Sequence, residues 1–150
     1  MTFHLSQRSL DNLEGVNPQM VAVVKLAITK TKIDFGVIEG VRTIERQREL
    51  VAAGASKTMN SKHIGGNAVD LMAYIGSRSS WELNLYDDIA DAMSEAGREL
   101  NVPIKWGAAW TVNDICEWGG SMESAMNSYI DTCRSQNRRA FIDGPHFEVV

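Results

Sequence analysis

Long apolar runs are missing from this chain. No stretch approaches the roughly 20 residues needed to span a bilayer, so no stable membrane association is expected. An excess of basic residues is missing too. Fifteen Lys and Arg stand against 19 Asp and Glu, a formal net charge of -4, which argues against general affinity for nucleic acid or anionic membranes. The first residues, Met-Thr-Phe-His-Leu-Ser-Gln-Arg, lack a basic segment followed by an apolar stretch, so a secretory signal is not expected and the chain is expected to begin in a cytoplasm. Cysteine is scarce. Cys116 and Cys133 match no zinc knuckle or redox motif, and two free thiols are the expectation. Internal repeats and low-complexity tracts are absent as well.

What is present suits one domain. A chain of 150 residues, 44% hydrophobic and 23% charged, is long enough to bury a real core. Residues 9–14 read as a short helix ended by Gly15. Asn17 then caps a helix with Pro18 at its first position, and Met20, Val24, Ala27 and Ile28 share its core face. Residues 34–42 read as a strand running into a turn, Thr43 as the N-cap of a polar helix over 44–53, and Gly54 as its stop. A small polar loop over 54–60 leads to a strand over 68–74, and 76–80 reads as another loop. Leu85, Ile89, Met93, Ala96 and Leu100 recur at helical spacing; 102–106 reads as a short strand. Residues 111–120 have no clean period. Met122, Ala125, Met126, Tyr129, Ile130 and Cys133 share a second helical face, and 147–150 closes the chain as a strand. Helices come first and strands then interleave with helices. The expected class is α+β, with a small, mostly antiparallel sheet flanked by helices.

The most pointed stretch is Ser61-Lys62-His63-Ile64-Gly65-Gly66-Asn67-Ala68-Val69-Asp70. Its histidine and carboxylate lie seven positions apart, a spacing one helix face would carry, but two interior glycines weigh against a helix. A turn at Gly65-Gly66 that folds His63 back beside a strand bearing Asp70 fits better. The other pointed context is Asp143-Gly144-Pro145-His146, near the C-terminus. His63, Asp70 and His146 would form a three-ligand site of nitrogen and carboxylate donors with one position open, which suits catalytic zinc better than structural zinc. Such a site needs a group to move a proton, and Asp143 stands three residues before His146. It also needs positive charge where an oxyanion forms; Arg42, at a strand end, is the candidate. Alone, each has an ordinary explanation: His63 as a hydrogen-bonded histidine, Asp143 as a turn residue, Arg42 as a solvated charge. The combination points to chemistry. His4 lies near a terminus and reads as a bystander.

Ser61-x-His63-x-x-Gly66-x-Ala68-x-Asp70 resembles the S-x-H-x-x-G-x-A-x-D signature of zinc peptidases typified by the VanY D-alanyl-D-alanine carboxypeptidases. Asp143-x-x-His146 resembles their second element. Many relatives carry glutamate there, and aspartate is similar to the phage L-alanyl-D-glutamate endopeptidases, a branch of bacteriophage endolysins. Gly40-Val41-Arg42-Thr43 resembles that branch's G-x-R-T element, and the segment from Lys105 to Trp110 resembles its aromatic-G-[AG]-D-W segment.

The resemblance implies a compact domain of the hedgehog and DD-peptidase type spanning residues 1–150, with no separate cell-wall-binding domain. It implies Zn2+ held by His63, Asp70 and His146, with Asp143 as acid/base and Arg42 polarising the scissile carbonyl or holding a substrate carboxylate. Ser61 becomes a supporting group beside the ligands, and Trp110 a substrate-binding or supporting residue. The implied function is an endolysin that cuts the peptidoglycan stem between L-alanine and D-glutamate during host lysis. It would act as a monomer, waiting in the host cytoplasm until a holin permeabilises the membrane and then reaching the cell wall. A D-alanyl-D-alanine carboxypeptidase is the alternative within the class, and a non-catalytic zinc-holding module the alternative outside it. Two departures stand out: Ala109 replaces the branch's usual aspartate, so any hydrogen bond that aspartate makes at the cleft wall is missing, and 111–139 is longer than in compact relatives, its apolar stripe suggesting an added helix packed on the core and forming one rim of the cleft.

Overall fold

The computed structural model describes residues 3–56, 58–59 and 61–150. The expected loop over 54–60 therefore lies partly outside the described residues, at Lys57 and Asn60.

Helix α1 (Gln7–Asn12) starts two residues earlier than its apolar pattern suggests, because Ser6 accepts a hydrogen bond from Ser9 N–H and caps it. It lies along strand β1 (Asp34–Glu39). Ser9 Oγ accepts from Val37 N–H at 2.9 Å and Asn12 Nδ2 donates to Val37 O at 2.8 Å, so side chains cover backbone that an edge strand would leave unpaired. Helix α2 (Pro18–Lys30) begins as its sequence predicts, with Asn17 Oδ1 accepting from Gln19 N–H and Pro18 at the first position. Its buried stripe is Met20, Val23, Val24, Ala27 and Ile28. Helix α3 (Ile44–Ala52) is capped by Thr43 and followed by Gly54 at φ +78°.

Strand β2 (Ala68–Ile75) is the spine of the sheet. Strand β1 pairs along one side. The other side is shared by β5 (His146–Val149), which pairs with 68–70, and β3 (Arg78–Ser80), which pairs with 73–75. Strand β4 (Ile104–Trp106) pairs with β5, and every pairing is antiparallel. Residues 76–80 are thus not a plain loop. Gly76 takes a φ of +64°, the chain reverses within two residues, and Ile75 pairs with Arg78.

The period of two then sorts the sheet into faces. Phe35, Val37, Val69, Leu71, Ala73, Ile104, Trp106, Phe147 and Val149 join the core, which α2 and α4 (Leu83–Leu100) also fill. Helix α5 (Met122–Ser135) adds Met122, Ala125 and Met126 to that core, and a 3-10 turn at Ile115–Glu117 adds Ile115. The opposite face carries the polar residues. Ladder register aligns Glu39, Asp70 and His146 on three adjacent strands. Glu39 reaches that row because the ladder is irregular at Ile38: Val37 pairs with Leu71, and Glu39 with the next residue, Asp70. The extra residue is a bulge of the kind that re-aims side chains beside sites.

Cys116 and Cys133 are buried free thiols, as expected, and burial pushes the Cys116 thiol up to about 12.

Candidate metal centre and cleft

The loop after α3 delivers His63 through backbone bonds. Its carbonyl accepts from Arg42 N–H at 2.9 Å and Gly66 N–H at 3.1 Å, and its own N–H donates to Ser61 Oγ at 3.2 Å. The ring is fixed separately, by Nδ1 donating to Gly40 O at 2.8 Å. Gly40 can be nothing larger, since a Cβ there would lie 2.2 Å from Asn12 O. His146 is placed by β5 and by a second close approach. Gly107 N–H donates to His146 O and Gly107 O accepts from Asp143 N–H, both at 2.8 Å. A Cβ on Gly107 would lie 2.2 Å from Asp143 O and 2.9 Å from His146 Cβ. Trp106 Nε1 donates to Gly144 O at 2.7 Å, tying the same turn to the core.

These supports bring three atoms together. His63 Nε2 lies 3.2 Å from Asp70 Oδ1 and 3.2 Å from His146 Nδ1, and His146 Nδ1 lies 3.5 Å from Asp70 Oδ1. Each ring's other nitrogen is committed to an acceptor: His63 Nδ1 to Gly40 O, and His146 Nε2 to Glu148 Oε1 at 2.8 Å. Those nitrogens carry the protons, so when the rings are neutral their two facing nitrogens present lone pairs. Asp70 Oδ1 adds a third and is buried without a hydrogen-bond partner. Three lone pairs converging on one point can hold a cation between them. A tetrahedral ion with donors at about 2.0–2.1 Å has donor–donor edges of about 3.3–3.4 Å, and the observed triangle matches.

The local fields agree. Burial would raise the Asp70 carboxyl, but the adjacent His146 and His63 rings hold it well below the usual carboxylate range. Burial would lower His146, yet the surrounding carboxylates of Asp70, Glu148 and Asp143 raise it to about 9, so with no metal ion between the donors the ring draws a proton in the cation's place. The pocket attracts positive charge. Glu148 is held low by His146 against the opposing effect of burial. Asp143 goes the other way: burial and the Asp70 charge raise it, against His146, His63 and Arg42.

Arg42 is not a solvated charge. It is 8% exposed, and its guanidinium is a hub: Nε donates to Glu39 Oε1 at 2.7 Å, Nη1 to Gln47 Oε1 at 2.8 Å and to Ser61 Oγ at 3.5 Å, and Nη2 to Asp70 Oδ2 at 3.4 Å. Gln47 is fully buried and passes the connection on to Ser56 Oγ at 2.8 Å and to Thr58 O.

Around the triad lies a cleft of about 570 Å3. Leu50, Ala55, Ser56 and Thr58, from the end of α3 and the loop after it, line it together with Trp110, Phe141, Arg42, Ser61, Lys62 and Asp143. The Trp110 ring lies 5.5 Å from that of His146 and is held by Nε1 donating to Phe141 O at 3.1 Å. All seven residues singled out in the sequence thus meet in one cleft. Ala109 is fully buried in the core and does not itself line the cleft. Helix α5 packs on the core as its apolar stripe suggests, but none of its residues lines the cleft, so it is not the rim expected; it touches a cleft residue where the Tyr129 hydroxyl accepts from Phe141 N–H at 3.0 Å.

Sequence reasoning missed Glu39, Gln47 and Glu148. Glu148 had a signal, since it stands two residues after His146 on a strand and so shares its face.

The family model described as phage L-alanyl-D-glutamate peptidase matches residues 1–150. The L-alanyl-D-glutamate peptidase of Escherichia phage T5 is 29% identical over 154 aligned residues, covering all of both chains. A protein of the same name from a Listeria phage is 27% identical over 114 residues, 74% of this chain and 40% of that longer relative. The crystal structure of the Serratia marcescens L-Ala D-Glu endopeptidase ChiX superposes with a TM-score of 0.74 at 35% identity, covering all of this chain and 90% of that one.

Proposed function

The chain belongs to the phage L-alanyl-D-glutamate peptidase family, and from that premise we propose a zinc-dependent endolysin that hydrolyses the L-alanyl-D-glutamate bond of the peptidoglycan stem. The observation that carries the reading is the convergence of His63 Nε2, Asp70 Oδ1 and His146 Nδ1 within 3.2–3.5 Å in a cleft that also holds Asp143. Two imidazoles and one carboxylate are the donor set of a catalytic zinc rather than a calcium or magnesium site.

Zinc, when bound, supplies a Lewis acid that activates water and polarises the scissile carbonyl. The remaining work belongs to the chain. Asp143, its carboxyl raised by burial, takes a proton from the attacking water and returns it to the leaving amine of D-glutamate. Gly40 and Glu148 hold the ring nitrogens that must keep their protons, so both histidines face the metal in the right tautomer. Arg42 fixes Asp70 through Oδ2. A guanidinium has five N–H donors and four are engaged, leaving one on Nη2 for a substrate oxygen. Ser61 braces His63 and Arg42 together, and Trp110 forms a wall against His146.

The relatives' names favour the endopeptidase over a D-alanyl-D-alanine carboxypeptidase, and an acid/base group in the cleft favours catalysis over a binding module. The proposed setting is host lysis, with the enzyme held in the cytoplasm until a holin opens the membrane. Among the described residues no helix is long and apolar enough to cross a membrane, and every site group comes from one chain, which supports action as a monomer.

The test is digestion of purified peptidoglycan with and without chelator, followed by mass spectrometry of the new termini. New L-alanine carboxyl and D-glutamate amino termini, lost with chelator and restored by zinc, are expected. Release of free D-alanine in their place overturns the assignment.

A further inference from the structure

Beside the metal cleft lies a second hollow of about 350 Å3, formed by Trp81, Leu83, Tyr86, Ile142, Asp143, Gly144 and Pro145. It shares one residue with the cleft, Asp143. Trp81 is 63% exposed, a large apolar surface left open. Its indole is nevertheless backed by a rigid group. The ring stacks on Tyr86 with planes 12° apart and centroids at 6.3 Å. Tyr86 is itself buried and pinned, its hydroxyl accepting from Ala73 N–H at 3.1 Å and donating to Ser80 O at 2.8 Å. One indole face is therefore supported by the fold while the side chain stays open to solvent.

We infer that this shelf is a saccharide subsite, where Trp81 stacks against the N-acetylated sugar that carries the peptide stem. The inference rests on the endopeptidase reading above. It follows from charge and reach. On the carboxyl side of the scissile bond the stem bears free carboxylates. The metal cleft offers Lys62 and Arg42 to such groups, whereas the shelf offers no cation. On the amino side nothing is charged: L-alanine is acylated by the lactyl group of the sugar. One residue spans about 3.5 Å, so the sugar begins within a residue or two of the reacting carbonyl, and the shelf begins at the residue that moves the proton. A neutral ring with one apolar face suits an exposed indole, whose electron-rich face attracts polarised C–H groups.

The test uses two soluble substrates with the same stem, a disaccharide tetrapeptide and the sugar-free tetrapeptide, each assayed with the zinc-loaded parent, Trp81→Ala and Trp81→Phe. In the parent, kcat/KM is expected to favour the sugar-bearing substrate. Trp81→Ala should lower the ratio of the two kcat/KM values about tenfold, through KM, in keeping with the cost of truncating a tryptophan anchor. Trp81→Phe should fall between. An unchanged ratio, whether both substrates suffer equally or neither does, overturns the sugar subsite. A parent that cuts neither substrate at L-alanyl-D-glutamate overturns the activity itself, a different result from a parent that cuts both with the same preference as Trp81→Ala.

Discussion

Arg42 Nη2 sits 3.4 Å from Asp70 Oδ2 while Oδ1 of the same carboxylate, 3.2 Å from His63 Nε2, faces the metal position. One carboxylate therefore has an inner and an outer partner. The outer one is itself held by Glu39 and Gln47, so the orientation of a metal ligand is set by a buried chain of charges reaching back to α3. Arg42→Lys keeps the charge but loses the planar fork, and a lysine cannot serve Glu39, Gln47 and Asp70 at once. It is expected to lower kcat by at least about tenfold, with metal still bound. Arg42→Ala takes the shared cation from two half-buried carboxylates, Glu39 and Asp70, leaves the buried Gln47 short of a partner, and should also destabilise the fold by about 1–3 kcal/mol. Thermal melting with steady-state kinetics checks both; near-parental values for either would return Arg42 to a passive role.

Asp143 separates binding from chemistry. Its side chain lines the cleft but is not one of the three converging donors. Asp143→Asn should therefore retain one zinc per chain by elemental analysis while losing about 100- to 10,000-fold in kcat. Alanine at His63, Asp70 or His146 should lose both. A zinc-free preparation with full activity would remove the metal from the mechanism.

Glu148 acts through His146. Replacing it with glutamine removes the charge that holds the His146 Nε2 proton and weakens that ring as a donor. Glu148→Gln is expected to weaken zinc affinity about 10- to 100-fold, read by competition with a chromophoric chelator. Unchanged affinity would make Glu148 a bystander of the ring.

The sequence was most legible where local chemistry and tertiary role coincide. Asn17-Pro18 and Thr43 cap helices by bonds to their own next residues, so their positions followed without knowledge of the fold. The histidine–aspartate pair declared itself because two glycines ruled out the simpler helical spacing. What stayed hidden depended on partners far along the chain. Gln47 lies on a helix that reads as polar, and its complete burial is explained by partners outside that helix, the Arg42 side chain, Ser56 Oγ and Thr58 O. The bulge at Ile38 follows from the pairing partner, not from the strand's own residues. Strand β3 lacks apolar alternation and exists because Gly76 turns the chain back onto β2. The burial of Ala109 stayed hidden because a motif position says nothing about which way a side chain points.

Asp87 supplies a prediction remote from the cleft. It is 8% exposed, its Oδ1 has no hydrogen-bond partner, and burial with the nearby charges of Glu123, Asp88 and Asp91 raises its carboxyl to about 6. In an unfolded chain the same group titrates near 3.9. Between these values the folded state holds more protons than the unfolded one, so Asp87's contribution falls as pH rises through the window. The charged form then burdens the fold above about pH 6, by a cost on the order of 1–3 kcal/mol. Asp87→Asn removes the charge at every pH. The variant is expected to melt several degrees above the parent at pH 7.5, at about 2–4 °C per kcal/mol for a chain of this size, and to show no such advantage at pH 4. The comparison is between the two proteins at each pH, so groups that titrate in both cancel. A variant equally stabilised at both pH values, or destabilised at pH 7.5, would show that the Asp87 charge is not what the fold is working against.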